Sequence, residues 1–345
     1  MPPPPAYGFD CAQARAWAEH LGLPGFRGQQ LFEGLYRGQP QTHADLATLP
    51  QAVRTRLDAE GPLLPGREVQ RQESRDGTVK SLLALHDGLR VECVSIPTSD
   101  RHTVCVSTQV GCPVGCTFCA SGLDGVARSL AASEIVWQVV FHHRQRPVTN
   151  VVFMGSGEPL FNYREVLHAI AVLAEPRGLG LGRRRFTVST SGVPDRIRDL
   201  ARDEPQVTLA LSLHAPDDET RSRLVPLNRR WPIADLMQAM EDYRAVVGRR
   251  ITLEYVLLAD ANMGAAQAAA LGGLARRFGA HINLIPYNPV LATPHRRPTA
   301  AEVEAFAAAV VAAGGRVTVR GQRGADIDAA CGQLAQRAGR APSGV

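Results

Sequence analysis

The chain has 345 residues, of which 45% are hydrophobic and 21% charged, which is ordinary for one large folded domain with a smaller one attached. No apolar run reaches the roughly 18 residues that a membrane helix needs, and the N-terminus has no export signal, so we expect a cytoplasmic protein without membrane contact. A net charge of +5, with Lys80 as the only lysine, suits an anionic partner such as nucleic acid, but ordinary surface charge explains it equally well.

The first elements predicted along the chain are helices. Apolar residues recur at helical spacing in AQARAWAEHLGL and FRGQQLFEGLY, and Pro24-Gly25 separates the two segments. Residues 66–97 then alternate between apolar and polar, with tight turns at Asp76-Gly77 and Asp87-Gly88. We therefore predict a helical domain over residues 1–65 and a β-meander linker over 66–97.

From residue 98 onward, strands and helices alternate. The strand-like runs are TVCVSTQ, NVVFMG, RFTVSTS, VTLALSLH, RITLEYVLL, HINLIPY and RVTVR. Helical stretches such as SEIVWQVVFHHR and AAEVEAFAAAVVAAG separate them. Successive βα units without a dinucleotide fingerprint favour a full or partial (βα) barrel. We predict this α/β core over residues 98–325 and a C-terminal segment over 326–345.

Three of the seven cysteines fall within one short loop after the first barrel strand. Cys112, Cys116 and Cys119 have C-x3-C-x2-C spacing in VGCPVGCTFC. Soft thiolates select zinc or iron–sulfur clusters, and a zinc site would need a fourth Cys or His in a matching pair, which this loop lacks. Three ligands on a four-iron cube leave one iron open, which can bind the amino and carboxylate groups of S-adenosylmethionine (SAM). The spacing therefore predicts an iron–sulfur cluster with an open site.

A second motif, GSGEP, follows the next strand and belongs at the same end of the barrel. Its glycines allow close approach of a ligand, and Glu158 can accept a hydrogen bond from the amino group of SAM. Alone the motif is consistent with a simple turn. Beside the cysteine triad it predicts a SAM site.

These motifs resemble the RlmN/Cfr family of radical-SAM RNA methyltransferases, which act on adenine in 23S rRNA. The resemblance runs from about Phe26 to Leu334. Its most specific segments are CVSTQVGC with the triad, GSGEPL, VSTSGV, SLHAPDD, INLIPYNP and RGADIDAACGQL. The last segment supplies Cys331, a cysteine that an ordinary radical-SAM core does not need.

The resemblance implies a partial (βα)6-type radical-SAM barrel with one [4Fe–4S] cluster on the triad and two SAM molecules consumed per methylation. It implies that SAM is bound by Gly157, Glu158, Ser189, Ser212, Leu213, His214 and Asn288. It also implies three catalytic residues. Cys331 would accept a methyl group from one SAM, and a deoxyadenosyl radical from the second would convert that group into a methylene radical that adds to adenine. Glu92 would accept the ring proton, and Cys105 would release the product by forming a transient disulfide with Cys331.

The resemblance further implies partners and leaves alternatives. The family's substrate is an adenine of 23S rRNA, and for some members also of tRNA, with an electron donor such as flavodoxin or ferredoxin. We expect methylation at C2, with C8 as the alternative. A radical-SAM enzyme for a non-RNA substrate and a structural Fe–S or zinc RNA-binding module are further alternatives, but neither needs a methyl-carrying cysteine. The helical domain and three arginine clusters are expected to hold the RNA backbone, the clusters being Arg183–Arg185, Arg229–Arg230 and Arg296–Arg297.

Overall fold

The computed structural model describes residues 6–290 and 293–334, so the end of the expected C-terminal segment, residues 335–345, lies outside the described part. The helices are α1 (Cys11–His20), α2 (Phe26–Tyr36), α3 (Gln51–Glu60), α4 (Ala132–His143), α5 (Tyr163–Ala174), α6 (Pro194–Asp203), α7 (Asp218–Leu224), α8 (Ile233–Val247), α9 (Ala265–Phe278) and α10 (Ala300–Ala312). The strands are β1 (Gly66–Glu73), β2 (Val79–Leu85), β3 (Arg90–Pro97), β4 (His102–Val106), β5 (Gln109–Gly111), β6 (Val126–Ser129), β7 (Asn150–Phe153), β8 (Phe186–Thr190), β9 (Thr208–Ser212), β10 (Thr252–Leu257), β11 (His281–Pro286) and β12 (Arg316–Val319).

The N-terminal helices form where the periodicity places them, and Pro24-Gly25 lies between α1 and α2. Asp10 caps α1 by accepting a 2.8 Å hydrogen bond from Gln13 N, and the Gln13 side chain accepts one from Asp10 N at 3.0 Å. This reciprocal pair satisfies two backbone donors that the first turn leaves open. The helices dock on the core through contacts such as Arg144 Nε, which donates to Gln39 O at 3.0 Å.

One ten-stranded sheet organises the core, in the order β1-β2-β3-β4-β7-β8-β9-β10-β11-β12. The first four strands are antiparallel, and all strands from β4 onward in this order are parallel. The turns at Gly77 and Gly88 have φ of +80° and +82°, which glycine tolerates. Within the described residues β1 and β12 each pair on one side, so the barrel is open. The expected α/β fold with a partial barrel is confirmed, and the meander extends its sheet directly.

The predicted strand TVCVSTQ is interrupted. β4 ends at Val106, and β5 pairs instead with β6 in a separate two-stranded sheet. The reason is that the Gln138 side chain takes the place of a neighbouring strand: it accepts from Ser107 N at 2.8 Å and donates to Ser107 O at 3.0 Å. This turn sends the chain toward the end of the barrel, where the cysteine loop follows.

The main hydrophobic core lies between the sheet and the helices and includes Trp137, Ile170, Leu211 and Phe278, each at most 1% exposed. Burial of side chains of this size is the main favourable contribution to folding. Across residues 6–290 and 293–334, none of the helices is long and apolar enough to cross a membrane.

Candidate active site

The triad lies on the loop after β5. Cys112 N donates to Gly125 O at 2.9 Å, and Cys119 N donates to Cys116 O at 3.2 Å, so backbone hydrogen bonds shape the loop around the thiols. All three cysteines line one cavity at the carboxyl ends of the parallel strands. They also pack against a small apolar cluster that includes Phe118. The structure thus brings the three predicted ligands to one place.

On their own these thiols resist ionisation. Burial raises the pKa of Cys112 to about 12. Burial, followed by the charges of Cys119 and Cys112, raises the pKa of Cys116 well above its usual range. Coordination to iron would deprotonate them. In the described part of the chain, no three His, Cys, Asp or Glu side chains converge as a single metal ion requires, whereas the thiolates of a four-iron cube each bind a different iron. The donor set fits an iron–sulfur cluster.

The GSGEP segment packs closely against the end of β4. A Cβ on Gly157, whose φ is +109°, would lie 2.7 Å from Thr108 Oγ1, and a Cβ on Gly155 would lie 2.8 Å from Val106 O. Both distances are shorter than van der Waals contact, so both positions require glycine. The motif therefore brings its backbone to the cavity beside the cysteine loop.

Glu158 is the buried carboxylate of this segment. It accepts hydrogen bonds of 2.7 Å from both Thr190 Oγ1 and Ser191 N, and one of 3.1 Å from Leu160 N. Burial raises the pKa of Glu158, and these hydrogen bonds oppose the rise. The carboxylate is thus held in one orientation at the cavity wall, with lone pairs remaining for a ligand donor.

Three of the strand-end residues expected to bind SAM also line the cavity, namely Ser189, Ser212 and His214. The hydroxyls of Ser189 and Ser212 lie 3.1 Å apart on the neighbouring strands β8 and β9. His214 has a left-handed backbone with φ of +59°. Its Nδ1 accepts from Val256 N at 3.1 Å, and burial, followed by the charge of Arg221, lowers the pKa of His214 to about 3. The ring is therefore neutral, and the tautomer we infer carries its proton on Nε2.

The other two expected SAM residues lie behind the wall of the cavity. Leu213 packs in the main core, and its backbone N–H donates to Glu254 O at 3.0 Å. Asn288 is buried and donates to the backbone carbonyl of Cys331 at 3.1 Å. Both residues therefore lie next to the cavity lining rather than in it, Leu213 between Ser212 and His214 and Asn288 against the Cys331 segment.

Sequence reasoning missed Arg221, which is fully buried beneath the strand ends. It donates to Leu213 O at 3.0 Å, to Ser191 O at 2.6 Å and to Asn228 Oδ1 at 2.8 Å. Burial lowers the pKa of Arg221 to about 10. The charged segment DDETRSR predicts an exposed helix, so no local signal distinguished this arginine from surface ones.

Glu254 and Arg320 were also missed, and both line the cavity. Glu254 is 4% exposed and accepts from Asn283 Nδ2 at 2.8 Å, while Arg320 Nη2 lies 3.5 Å from its Oε1. Burial raises the pKa of Glu254, against the charge of Arg320. A glutamate within the apolar run ITLEYVLL was the available signal, because a charge in a barrel strand needs a partner in the interior.

The segment that carries Cys331, residues 324–334, lies across one face of the sheet. Cys331 is exposed, and it lines the same cavity as the triad. Burial of the thiol against the cavity walls raises the pKa of Cys331, and the charge of Arg320 opposes this rise. Cys105 is buried on β4, in a cluster with Ala329 and Leu334, which lie on either side of Cys331 in sequence. Burial, then the charge of Cys331, raises the pKa of Cys105 to about 12. The residues on either side of Cys331 thus pack over Cys105.

Glu92 lies on β3, on the same face of the sheet as Val94, since side chains alternate along a strand. Its Oε1 is 3.3 Å from Lys80 Nζ, and its side chain is 12% exposed. Neither Glu92 nor Cys105 is among the residues that line the cavity. Both lie on the sheet face that the Cys331 segment covers.

The three arginine clusters differ in their surroundings. Arg183 forms an ion pair with Glu204, and Arg296 with Glu302. In contrast, exposed positions are occupied by Arg184, Arg185, Arg229 and Arg230. The guanidinium of Arg230 lies 4.4 Å from the ring centroid of Trp231. The clusters therefore present exposed charge to an anionic partner mainly at these four positions.

Comparison with known proteins agrees with this geometry. The model of the radical SAM superfamily matches residues 106–270, which include the triad, GSGEP and the serine and histidine strand ends. A probable dual-specificity RNA methyltransferase RlmN of Desulfitobacterium hafniense (strain Y51) is 49% identical over 327 residues, covering 91% of this chain and 91% of the relative. One of the same name from Synechococcus sp. (strain RCC307) is 48% identical over 337 residues, covering 95% and 96%.

A solved structure extends the likeness to three dimensions. The crystal structure of a radical SAM methyltransferase from Sphaerobacter thermophilus is 43% identical to this chain and superposes with a TM-score of 0.94. The match covers 96% of this chain and 99% of the other. It therefore includes the N-terminal helices and the meander as well as the barrel.

Proposed function

Because this chain is a radical-SAM RNA methyltransferase of the RlmN family, we propose that it methylates C2 of an adenine in 23S rRNA. The names of its relatives specify dual specificity, and we propose a tRNA adenine as the second substrate. One observation carries the proposal: Cys331 lines the cavity of Cys112, Cys116 and Cys119, while its neighbours cover Cys105.

The family implies a [4Fe–4S] cluster and SAM. We assign the cluster to the triad. We assign SAM to the strand-end set Gly157, Glu158, Ser189, Ser212, Leu213, His214 and Asn288. When bound, the cluster and SAM supply the one-electron chemistry that removes a hydrogen atom from an S-methyl group, with flavodoxin or ferredoxin as the proposed source of electrons. Glu158 contributes a fixed acceptor for an ammonium group, and His214 contributes a neutral Nε2–H donor.

Cys331 is the proposed methyl carrier. Its thiolate attacks the methyl group of a first SAM, so that a sulfur–carbon bond to Cys331 forms as the sulfonium–methyl bond breaks. A second SAM is consumed in activating that methyl group. This route suits adenine C2, an sp2 carbon without a lone pair, which cannot attack a sulfonium itself. The exposure of Cys331 within the cavity supports both its access to SAM and its access to a base.

Glu92 and Cys105 are proposed to complete the reaction. Once the methylene carbon on Cys331 is bonded to the ring, the adduct must lose one electron and the ring proton. The oxidised iron–sulfur cluster would accept the electron, and the Glu92 carboxylate takes the proton. The Cys105 thiolate then attacks the sulfur of Cys331, the sulfur–carbon bond breaks, and the carbon takes up a proton to become the methyl group. A Cys105–Cys331 disulfide remains, to be reduced before the next cycle. The packing of Cys105 against Ala329 supports this pairing.

The adenine must be unpaired or flipped to enter the cavity. The exposed arginines at 184, 185, 229 and 230, together with the N-terminal helices, are the proposed contacts with the RNA backbone.

Nucleoside mass spectrometry tests the proposal. In a strain lacking the gene, 2-methyladenosine should disappear from 23S rRNA and from tRNA, and it should return when the gene is supplied. Loss of 8-methyladenosine instead would place the reaction at C8. No change in either nucleoside would mean that the substrate is not these RNAs.

A further inference from the structure

Lys80 occupies the point where the proposed base meets the Cys331 segment. Its Nζ lies 3.3 Å from Glu92 Oε1 and donates a 3.0 Å hydrogen bond to the backbone carbonyl of Asp328. The Lys80 side chain is only 8% exposed. Asp328 is three residues before Cys331 in the sequence. One buried ammonium ion therefore contacts both the proposed proton acceptor and the segment that carries the methyl group.

The sheet register explains how the Lys80 side chain reaches both Glu92 and the Cys331 segment. Lys80 on β2 is opposite Val94 on β3, and Val94 is opposite Cys105 on β4. Directly opposite residues project from the same face, so these three side chains form a row across the sheet. The Cys331 segment lies over this row, with Ala329 packed into the cluster of Val94 and Cys105. Lys80 stands at the end of the row and holds the same segment by a polar contact.

The choice of residue supports a specific role. Lys80 is the only lysine in the chain, and every other long basic side chain is arginine. An ammonium group is compact and directs three donors from one atom, whereas a guanidinium is a broad planar fork. A site that joins a carboxylate and a carbonyl through one atom suits lysine.

A second set of contacts, which does not involve Lys80 or Glu92, also anchors the Cys331 segment. Ser74 Oγ donates to Asp326 Oδ1 at 2.6 Å, and Gly324 N donates to Asp76 Oδ2 at 3.2 Å. These contacts join the segment to the β1–β2 turn. The two anchors can therefore be removed independently.

We propose that Lys80 is a positioning residue that fixes Glu92 and the Cys331 segment relative to each other. The proton acceptor and the methyl-carrying sulfur are then both within reach of the same adenine. The inference rests on the roles proposed above for Glu92 and Cys331. It adds no chemical step, because Lys80 only holds its two partners in place.

The test compares Lys80→Met, Glu92→Gln and the double variant in single-turnover reactions of the reconstituted holoenzyme with labelled RNA. A denaturing gel measures the protein–RNA adduct and the released RNA. Lys80→Met should accumulate adduct and release product about tenfold more slowly, a smaller loss than the roughly 10²- to 10⁴-fold that removal of a general base itself costs. The double variant should be no slower than Glu92→Gln alone, since Lys80 acts through Glu92. Independent, multiplying effects would overturn the proposal.

The double variant also guards against misfolding, because it removes the charges of Lys80 and Glu92 together and so leaves neither without the other. Ser74→Ala is the matched control: it loosens the same segment at the other anchor, and it should lower turnover without accumulating adduct. Accumulation in Ser74→Ala equal to that in Lys80→Met would show that loosening alone causes the effect, and the proposal would fail. If adduct accumulated in Glu92→Gln but Lys80→Met released RNA normally, only the role of Lys80 would be overturned. If Glu92→Gln released RNA normally, both the assignment of Glu92 as the base and this inference would be overturned.

Discussion

The backbone N–H of Ala120 donates a 2.8 Å hydrogen bond to the carbonyl of Gly332. Ala120 follows the last cysteine of the triad, and Gly332 follows Cys331, so this bond joins the proposed cluster loop to the proposed methyl carrier. A second tie lies beside it, where Ser121 Oγ donates to Leu334 O at 2.7 Å. The position of the Cys331 segment therefore depends on the fold of the cysteine loop.

Ser121→Ala tests this dependence. The variant leaves the Leu334 carbonyl without its donor, a loss of about 1 to 2 kcal/mol for a buried acceptor. We expect SAM to methylate Cys331 severalfold more slowly, as measured by mass spectrometry of the protein in the absence of RNA. The iron content, measured alongside, separates this effect from loss of the contact between the Ser121 side chain and the Cys119 thiol. Ser81→Ala is the control, because within the described residues the buried Ser81 hydroxyl has no hydrogen-bond partner. Equal rates in both variants would show that the tie has no role in docking.

Replacing a triad cysteine tests the cluster assignment. Reconstituted protein should hold about four irons per chain, as a [4Fe–4S] cluster requires. Cys116→Ala should lose most of the iron and the visible absorbance of the cluster. Cys11→Ala, which changes a half-buried cysteine on α1 outside the cavity, should retain both. A full cluster in Cys116→Ala would contradict the assignment.

Features with a local sequence signal could be predicted, whereas features that depend on tertiary contacts could not. The Asp76-Gly77 and Asp87-Gly88 turns were predictable because tight turns have local residue requirements. The convergence of the three triad cysteines on one cavity was predictable because they lie close together on one loop. The break after Val106 was not, because it depends on Gln138, which is distant in sequence. The same holds for the contacts of Lys80, which arise only when residues 80, 92 and 328 meet in the folded chain.

The buried Arg221 should be essential for the strand ends that are proposed to bind SAM. Arg221→Lys loses the planar fork that serves Leu213 O, Ser191 O and Asn228 at once. Leaving such buried acceptors unpaired should cost about 2 to 3 kcal/mol of stability. Urea unfolding measures this loss, and calorimetry should show weaker SAM binding. Arg223→Lys, an exposed change on the same helix, should alter neither. Equal stability of the two variants would contradict the structural role of Arg221.

The lowered pKa of Asp76 predicts that the stability of the fold depends on pH. Although desolvation acts in the opposite direction, hydrogen bonds from Thr78, Ser74 and Gly324 lower the pKa of Asp76 to about 2. Since this is below the unfolded value of about 3.9, the carboxylate stabilises the fold above that pH, and the contribution is lost as pH falls toward 2. Solvent exposure reduces the contribution to about 1 kcal/mol. Urea unfolding should show wild type more stable than Asp76→Asn at pH 7 and 5, with the difference shrinking at pH 3. A difference that grows on acidification would contradict this sign.

Replacing each of the two proposed catalytic cysteines should stop the reaction at a different step. Cys331→Ala has no methyl carrier, so the protein should neither accept a methyl group from SAM nor become attached to RNA. Cys105→Ala keeps the carrier, which is exposed in the cavity, and can form the bond to adenine. It lacks the thiolate that would attack the Cys331 sulfur, so it should accumulate covalently bound to RNA.

A denaturing gel with labelled RNA separates these outcomes, and Cys93→Ala provides the matched control. Cys93 is buried on β3 like its neighbours, but its thiol lies 3.3 Å from His142 Nε2 in the main core, away from the Cys331 segment. It should release methylated RNA normally. Removal of the Cys105 side chain also leaves a small cavity beneath Ala329, so the stability of this variant must be measured alongside. If stable Cys105→Ala turned over normally and its RNA migrated free, the sulfur of Cys331 would have another attacker, and the face of the sheet that holds Cys105 would serve only to support the segment.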